Sequence, residues 1–241
     1  MESAPFTKIE QLPAPASKDI HVIIADLTID PELQEQLFMR LSDDEQKRAG
    51  RFKLDKHRRR FIAAHGYLRH LLAAHLETAP AGLLYHYGKT GKPVIAKDQN
   101  PDNLCFNLSH SHELAVFALA LNTPVGIDIE HVRKNFDPLG LAKRYFSNNE
   151  FNQISTLPKK QQTAAFYHAW TRKEAVLKVS GQGITRIETV EVTILDNEPL
   201  RIISPEKRAG TCSLYSFTVP DGYTAALAAE GHNHSLVTFH I

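Results

Sequence analysis

The run Val-Gly-Ile-Asp-Ile-Glu at residues 125–130 constrains this chain more than any other stretch. Side chains alternate between the two faces of a β-strand, so the isoleucines are predicted on one face, and Asp128 and Glu130 on the other. Two carboxylates at this spacing repel each other unless a cation or a shared proton lies between them. Oxygen ligands on one face suit a Mg²⁺ ion that meets substrate phosphates. Two interpretations are open, a metal-phosphate site and a solvated strand edge.

Length and charge set the first limits on function. The 241 residues suit one large domain or two smaller ones. With 28 Lys and Arg against 27 Asp and Glu, no global charge favours nucleic acid or an anionic membrane as a partner. Cys105 and Cys212 lie outside any metal-ligand spacing, which indicates a reducing compartment. Without a signal-peptide core in residues 1–20 or an apolar run of membrane-spanning length, we expect a soluble cytoplasmic protein.

Helix-start signals recur along the chain. The Asp-Pro pair at residues 30–31 begins a helix predicted to end near residue 40. Ser42 with Glu45 three residues later is a capping box that opens a second helix, and residues 147–150 repeat the pattern. Further helical patterns lie at residues 61–76, 138–144 and 163–180. Gly181 is predicted to end the last of these in a left-handed conformation.

Apolar runs between these helices predict strands. They lie at residues 21–27, 85–87, 94–95, 104–108, 114–121, 125–130, 189–194, 200–203, 212–219 and 223–228, with 236–241 as a further candidate. The polar turn at residues 122–124 is the candidate domain boundary. It divides the chain into an N-terminal lobe of residues 1–123 and a C-terminal lobe of residues 124–241.

Glu174 occupies an unusual place on the second long helix. The apolar arc of that helix is set by Phe166, Tyr167, Trp170 and Leu177. Glu174 falls inside the arc, where burying a carboxylate is costly unless a metal or cations neutralise it. Lys173 and Lys178 flank the arc and offer such cations. The alternative, a surface pair of Glu174 with Lys178, is worth only about 0.2–0.5 kcal/mol and leaves the apolar neighbours unexplained.

Arginines border the buried face of the first long helix. Arg58 and Arg69 lie at the edge of its apolar stripe, so they either snorkel beside the core or form an anion-binding surface. A nucleic-acid patch is a third interpretation. The near-neutral charge balance and the lack of interleaved exposed aromatic residues count against it.

Two short segments suit phosphate contacts. The segment Gly-Lys-Thr-Gly-Lys at residues 88–92 combines glycines with lysines, but it lacks the spacing of a Walker loop. Ser109 and His110 are adjacent on a predicted strand and therefore face opposite ways. No nucleophile-elbow motif surrounds the serine, so phosphate contacts are favoured over acyl transfer.

Four motifs in this order resemble those of the 4'-phosphopantetheinyl transferases of the two-lobed, surfactin-synthetase-activating type. They are Gly91-Lys92-Pro93, Phe106-Asn107-Leu108-Ser109-His110-Ser111, the run at residues 125–130, and Trp170-Thr171-Arg172-Lys173-Glu174-Ala175 with Lys178 and Gly181-x-Gly183. The arginine-rich stretch at residues 48–69 is also similar. The resemblance thus covers residues 40–185 well and the flanks only in outline.

The resemblance implies transfer of the phosphopantetheine arm of coenzyme A to a serine of an apo acyl or peptidyl carrier protein, releasing adenosine 3',5'-bisphosphate. It also implies an α+β monomer of two similar lobes related by a pseudo-twofold axis. Each lobe would be a small, mostly antiparallel sheet packed on a long helix, with the site in the cleft between lobes. Coenzyme A, Mg²⁺ and a carrier protein are expected partners; nucleic acid and membranes are not.

Position by position, the resemblance also implies residue roles. The expected Mg²⁺ ligands are Asp128, Glu130 and Glu174. The expected contacts to the coenzyme A phosphates are Lys92, Ser109, His110 and Lys178, with Arg48 at the 3'-phosphate. Glu174 or a metal-bound water would take the proton of the carrier serine. One departure affects the 3'-phosphate contacts, because surfactin-type members carry a pair of lysines where this chain has Glu45 and Arg48.

Two other function classes would use the same features. A metal-dependent phosphodiesterase would use the same acids and hydrolyse coenzyme A without a carrier. A non-catalytic nucleic-acid-binding module would bind through the arginines at residues 58–60 in a salt-sensitive manner. The motifs do not indicate which carrier protein or biosynthetic pathway is served.

Overall fold

The computed structural model describes residues 8–88, 91–133, 135–181, 183–195, 198–203 and 211–241. Its helices are α1 Pro31–Met39, α2 Asp43–Ala49, α3 Asp55–Leu76, α4 Pro138–Tyr145, α5 Asn148–Thr156 and α6 Lys159–Ser180. Its strands are β1 Asp19–Asp26, β2 Tyr85–Tyr87, β3 Pro93–Ile95, β4 Leu104–Ser111, β5 Leu114–Leu121, β6 Val125–His131, β7 Cys212–Tyr215, β8 Tyr223–Glu230 and β9 Ser235–His240. The predicted α+β class is confirmed.

Two sheets, each packed against one long helix, organise these elements. The first lobe has a four-stranded sheet in the order β4-β5-β1-β9 with α3 on one face. The second has a three-stranded antiparallel sheet in the order β6-β8-β7, packed on α6. A third apolar cluster joins the two sheets face to face and includes Val22, Val116, Ile127 and Leu227. The isoleucines share one buried face of β6, as predicted, and the structure adds that this face packs against the sheet of the first lobe.

The last strand returns to the first lobe. β9 pairs in parallel with β1, from Asp19 opposite Ser235 to Ile24 opposite His240. The division of the chain between residues 123 and 124 remains a prediction. That division assigns β9 to the C-terminal lobe, although β9 pairs with the sheet of the N-terminal lobe. No helix within the described ranges is both long enough and apolar enough to cross a membrane.

The start and stop signals act as predicted. Asp30 caps α1 by accepting a hydrogen bond from the amide of Leu33 at 2.8 Å. Both predicted capping boxes form, at the starts of α2 and α5. Gly181 ends α6 with φ of 68°, a left-handed conformation that glycine adopts without the steric cost of a Cβ.

The two capping-box glutamates each hold a buried cation from the long helix of the same lobe. Glu45 pairs with Arg69 of α3, and Glu150 pairs with Lys173 of α6 at 2.5 Å. This repeated arrangement supports two similar lobes, while the pseudo-twofold axis itself remains a prediction.

Two sequence interpretations are corrected by these pairs. Arg69 is only 2% exposed, and it also donates to the carbonyls of Pro80 and Leu83, so it neither snorkels nor binds anions at the surface. Lys173 is wholly buried in the second lobe, so it does not flank Glu174. The reason is geometric, because successive helical residues point about 100° apart.

Two of the strands predicted after α6 do not form a sheet ladder. Residues 184–189 form a 3₁₀ helix. Within the described parts of residues 189–203, strand pairing is limited to a single bridge between Val192 and Ile202. Val190, Val192 and Ile194 are buried in the second-lobe core, and Arg172 donates to the carbonyls of Thr193 and Ile194. The alternation thus reflects packing against α6 rather than a sheet. The strand predicted at residues 212–219 ends early, at Tyr215.

Candidate active site

The seam between the lobes brings polar residues of β4 onto the acidic strand β6. Each is an edge strand of its own sheet. Asn107 Oδ1 accepts a hydrogen bond from the Ile127 amide at 2.8 Å. Ser109 Oγ donates to Asp128 Oδ1 at 2.8 Å, and Ser111 Oγ donates to Glu130 Oε2 at 2.7 Å. The period-two polar pattern of β4 therefore matches that of β6 across the seam.

Asp128 is buried at this seam. It is 4% exposed, which is incompatible with the alternative of a solvated strand edge. Its Oδ1 accepts from Ser109 and, at 2.7 Å, from the ammonium of Lys178. That ammonium also donates to the Ile127 carbonyl at 3.0 Å. Asp128 Oδ2 is buried without a hydrogen-bond partner in the described structure, so one carboxylate oxygen is open to a ligand.

Glu174 shares the site with the two strand acids. Its pKa is raised to about 7, first by burial and then by the negative charges of Asp128 and Glu130, against the opposing effect of Lys178. Its Oε1 is a second buried oxygen without a hydrogen-bond partner among the described residues. Burial and the repulsion of Asp128 also raise the pKa of Glu130, although the hydrogen bond from Ser111 opposes them. Mutual repulsion of this kind marks a site that is short of positive charge.

Gly126 allows the helix carrying Glu174 to approach β6. A Cβ built at Gly126 would lie 2.1 Å from the Ala175 carbonyl oxygen and 2.6 Å from the Val179 nitrogen. Such distances are far inside van der Waals contact, so a residue with a side chain would force α6 away from β6. The glycine therefore sets the short helix-to-strand distance across which Glu174 and Lys178 face Asp128.

The donor chemistry fits a magnesium ion, although the carboxylates are not a ready-made cluster. In the part of the chain that the structure describes, no three histidine, cysteine, aspartate or glutamate side chains are arranged to hold a metal ion by themselves. The open oxygens of Asp128 and Glu174 are nevertheless unpaired hard ligands. Mg²⁺ is usually held by one or two carboxylates together with waters and substrate phosphates. The site thus suits an ion that binds together with a phosphate ligand.

Contrary to the expectation from the sequence, the Lys92 side chain does not point toward this site. Its ammonium donates to the carbonyls of Val125 at 2.9 Å, Lys178 at 2.6 Å and Val179 at 3.2 Å. Burial lowers its pKa to about 8. An ammonium has three hydrogens, so none remains for the predicted phosphate contact.

His110 lies at the rim of the cleft, on the face of the first sheet that α3 covers. The ring keeps contact with solvent, but its pKa is lowered to about 4. The first cause is desolvation by the surrounding protein, and the others are nearby basic groups: His65, Lys178, Arg60 and Arg48. The ring is therefore neutral near pH 7 and acts as a hydrogen-bonding group. Arg48, exposed on α2, stacks its guanidinium 5.0 Å from the centre of the Phe61 ring.

A cavity of about 650 Å³ opens at the other end of the same seam. Its walls include Lys92, Cys105, Phe106, Pro124 and Gly181. None of the three carboxylates lines it, so the cavity and the acidic site are neighbouring features rather than one pocket.

Sequence reasoning assigned no role to Asn107 or Ser111, although both contact the acidic strand directly. The signal that could have found them is the alternation of Asn107, Ser109 and Ser111 along one predicted strand. Its spacing equals that of Asp128 and Glu130.

Comparisons with known proteins show one family along most of the chain. A family model described as 4'-phosphopantetheinyl transferase superfamily matches residues 124–228, and one described as 4'-phosphopantetheinyl transferase, N-terminal, matches residues 30–122. The 4'-phosphopantetheinyl transferase HetI of Nostoc sp. is 38% identical over 202 residues, covering 83% of this chain and 84% of that protein. The 4'-phosphopantetheinyl transferase Sfp of Bacillus subtilis is 26% identical over 213 residues, covering 87% and 91%. AcpT of Salmonella typhimurium, described in the same way, is 37% identical over 108 residues, covering 45% and 55%.

Proposed function

The chain belongs to the 4'-phosphopantetheinyl transferase superfamily, and we propose that the acidic seam between its lobes is where the transfer takes place. The enzyme moves 4'-phosphopantetheine from coenzyme A to a carrier protein. The proposal adds that the acceptor is a serine, that Mg²⁺ is required and that adenosine 3',5'-bisphosphate is released. The observation that carries the site assignment is the meeting of Asp128, Glu130 and Glu174 from two elements of the fold.

The balance of charge at the seam supports a requirement for a divalent cation. Three carboxylates face the ammonium of Lys178 and, near Glu130, the charge of Arg133, so the site keeps an excess of negative charge and would repel a pyrophosphate as it stands. Mg²⁺, when bound, supplies the positive charge that neutralises the pyrophosphate oxygens. Asp128, Glu130 and Glu174 would hold it, and the open oxygens of Asp128 and Glu174 are the groups best placed to do so.

The phosphate contacts follow from donors near those acids. Lys178 uses two of its three ammonium hydrogens within the described structure, which leaves one for a phosphate oxygen. The neutral His110 ring offers one N–H at the same edge. The Ser109 hydroxyl has a single hydrogen, which it donates to Asp128, so it would have to turn that hydrogen to a phosphate oxygen. Arg48, whose guanidinium is exposed near His110, would bind the 3'-phosphate.

The reaction then needs a base and a leaving group. The oxygen of the carrier serine attacks the phosphorus that bears the pantetheine arm, and the bond from that phosphorus to the bridging oxygen breaks. The serine proton passes to Glu174, a carboxylate that lies beside Asp128, Glu130 and Lys178. The bridging oxygen leaves with adenosine 3',5'-bisphosphate.

Intact-mass measurement of a carrier tests the proposal directly. The protein is incubated with coenzyme A, Mg²⁺ and a panel of apo acyl and peptidyl carriers. We expect at least one carrier to gain the mass of one phosphopantetheine group, and the gain to disappear when Mg²⁺ is chelated. Hydrolysis of coenzyme A without any carrier, and no mass gain on any carrier, would instead indicate a phosphodiesterase.

The nucleic-acid alternative loses support from the contacts of its three arginines. Arg58 pairs with Asp55 at 3.1 Å, Arg59 donates to the Ile29 carbonyl at 3.0 Å, and Arg60 pairs with Glu113. Their guanidinium groups are thus engaged within the protein. The monomeric state, the lack of a nucleic-acid partner and the cytoplasmic location stay predictions.

A further inference from the structure

Lys92 comes from the first lobe but makes all its side-chain hydrogen bonds to the second. It directly precedes β3, which pairs with β2 in a two-stranded hairpin. Its three acceptors are the carbonyls of Val125, Lys178 and Val179. One side chain thus links the hairpin to the start of β6 and to the end of α6.

The acceptors on α6 are carbonyls that a helix leaves short of partners. Lys178 and Val179 lie in its last turn, where carbonyls lose the regular intrahelical donors and the helix dipole is negative. The Lys178 carbonyl also accepts from the Gly181 amide at 3.3 Å. An ammonium is well suited to both conditions. Because Val125 is bound by the same ammonium, the end of α6 is held at a fixed distance from the start of β6.

The same two elements carry the acidic site. Asp128 lies three residues after Val125, and Glu174 lies one helical turn before Lys178. Gly126 also lets α6 and β6 lie closer together than any residue with a side chain at that position would allow. A shift of the helix end would therefore move Glu174 and the Lys178 ammonium relative to Asp128.

We propose that Lys92 is a positioning residue, which holds α6 against β6 so that Glu174 and Lys178 face Asp128, and that its ammonium does not contact coenzyme A. The role rests on the proposed function. It differs from the phosphate contact that the sequence resemblance implied, because that contact requires an ammonium hydrogen free to reach a phosphate.

Lys92→Met separates the two roles. We expect kcat to fall about tenfold or more, because small misplacements of reacting groups cost up to about 100-fold in rate. The Kd of coenzyme A is measured by calorimetry without a carrier or Mg²⁺ in a Lys178→Met background, where positioning through Lys178 no longer matters. Adding Lys92→Met there should change the Kd less than about threefold. A further loss of coenzyme A affinity of about tenfold or more in that background, or an unchanged kcat of Lys92→Met alone, would overturn the proposal.

A second variant at Lys92 and a control variant at another lysine complete the test. Lys92→Gln keeps two N–H donors, so its kcat should lie between those of wild type and Lys92→Met, and it serves if the methionine variant does not fold. Lys97→Met removes an exposed lysine from the wall of the neighbouring cavity and should change neither constant. The calorimetric measurement of coenzyme A affinity still tests whether Lys92 contacts coenzyme A if the wild-type protein transfers nothing. That second outcome would refute the proposed function and not the binding result.

Discussion

The buried ion pair of the second lobe makes a quantitative prediction about Lys173, the residue directly before the proposed base. The side chains of Lys173 and Glu150 are both fully buried, with Nζ and Oε2 2.5 Å apart. Glu150 also accepts hydrogen bonds from the amides of Val192 at 3.0 Å and Ser147 at 2.9 Å. Replacing Lys173 with methionine leaves the glutamate buried with these two backbone donors and no counter-charge.

The expected loss follows from that geometry. Removing one partner of a buried ion pair costs about 3–5 kcal/mol. Because two amides still stabilise the carboxylate, we expect the lower end, about 3 kcal/mol of unfolding free energy. For a chain of 241 residues this corresponds to a fall in Tm of about 6–12 °C.

Urea denaturation measures the predicted loss of unfolding free energy, and transfer assays measure whether kcat is kept. Lys173→Met should be markedly less stable while the folded fraction keeps its kcat. Glu150→Gln with Lys173→Met should lose less stability than the single variant, because no buried charge is left unpaired. Lys160→Met, at an exposed position of the same helix, should stay within about 0.5 kcal/mol. A stable Lys173→Met protein without transfer activity would refute the reasoning and place Lys173 in the site.

Three further predictions concern close packing, pH and the acidic strand. Gly126→Ala should lower both Tm and kcat, because its Cβ would overlap the helix backbone, whereas Gly82→Ala, with its nearest neighbour 3.9 Å away, should do neither. Burial raises the pKa of Glu45, but the hydrogen bond with His65, the charge of Arg69 and the hydrogen bond from Ser42 outweigh it and lower the folded pKa from 4.5 to about 2. The unfolded chain therefore binds more protons between these two values. The stability this provides is complete above pH 4.5 and lost toward pH 2, and Glu45→Gln should flatten that part of a Tm-against-pH curve. Ser111→Ala removes the hydrogen bond to Glu130 and should raise the Mg²⁺ concentration for half-maximal rate by about 10-fold or more. If that concentration does not change, Glu130 is not a ligand of the ion.

Local signals explain why much of the fold was predictable. The capping boxes, the Asp-Pro start and the glycine stop act within a few residues of chain. They gave the starts of α1, α2 and α5 and the end of α6 correctly, whereas α6 begins at Lys159, four residues before its predicted start. The alternation in β6 likewise gave its buried face. The parallel pairing of β9 with β1 is of a different kind, because it joins the two ends of the chain and leaves no local pattern.

Side-chain partners were harder to predict than elements. Lys173 was expected to neutralise Glu174, and Lys92 was expected to contact a phosphate. Each instead meets a partner distant in sequence, the capping glutamate of α5 for Lys173 and the end of α6 for Lys92. The position of Glu174 was predictable, since a carboxylate inside an apolar arc needs a charge partner.

Divalent-ion binding in the presence of coenzyme A tests the central claim most directly. Mn²⁺, bound in place of Mg²⁺ and followed by electron paramagnetic resonance, should show one site in wild type and in Glu35→Gln, an exposed control. Glu174→Gln should remain folded, lose transfer activity and bind the ion at least about tenfold more weakly. A Glu174→Gln protein that binds Mn²⁺ and modifies carriers as wild type does would contradict the assignment of Asp128, Glu130 and Glu174 to one ion.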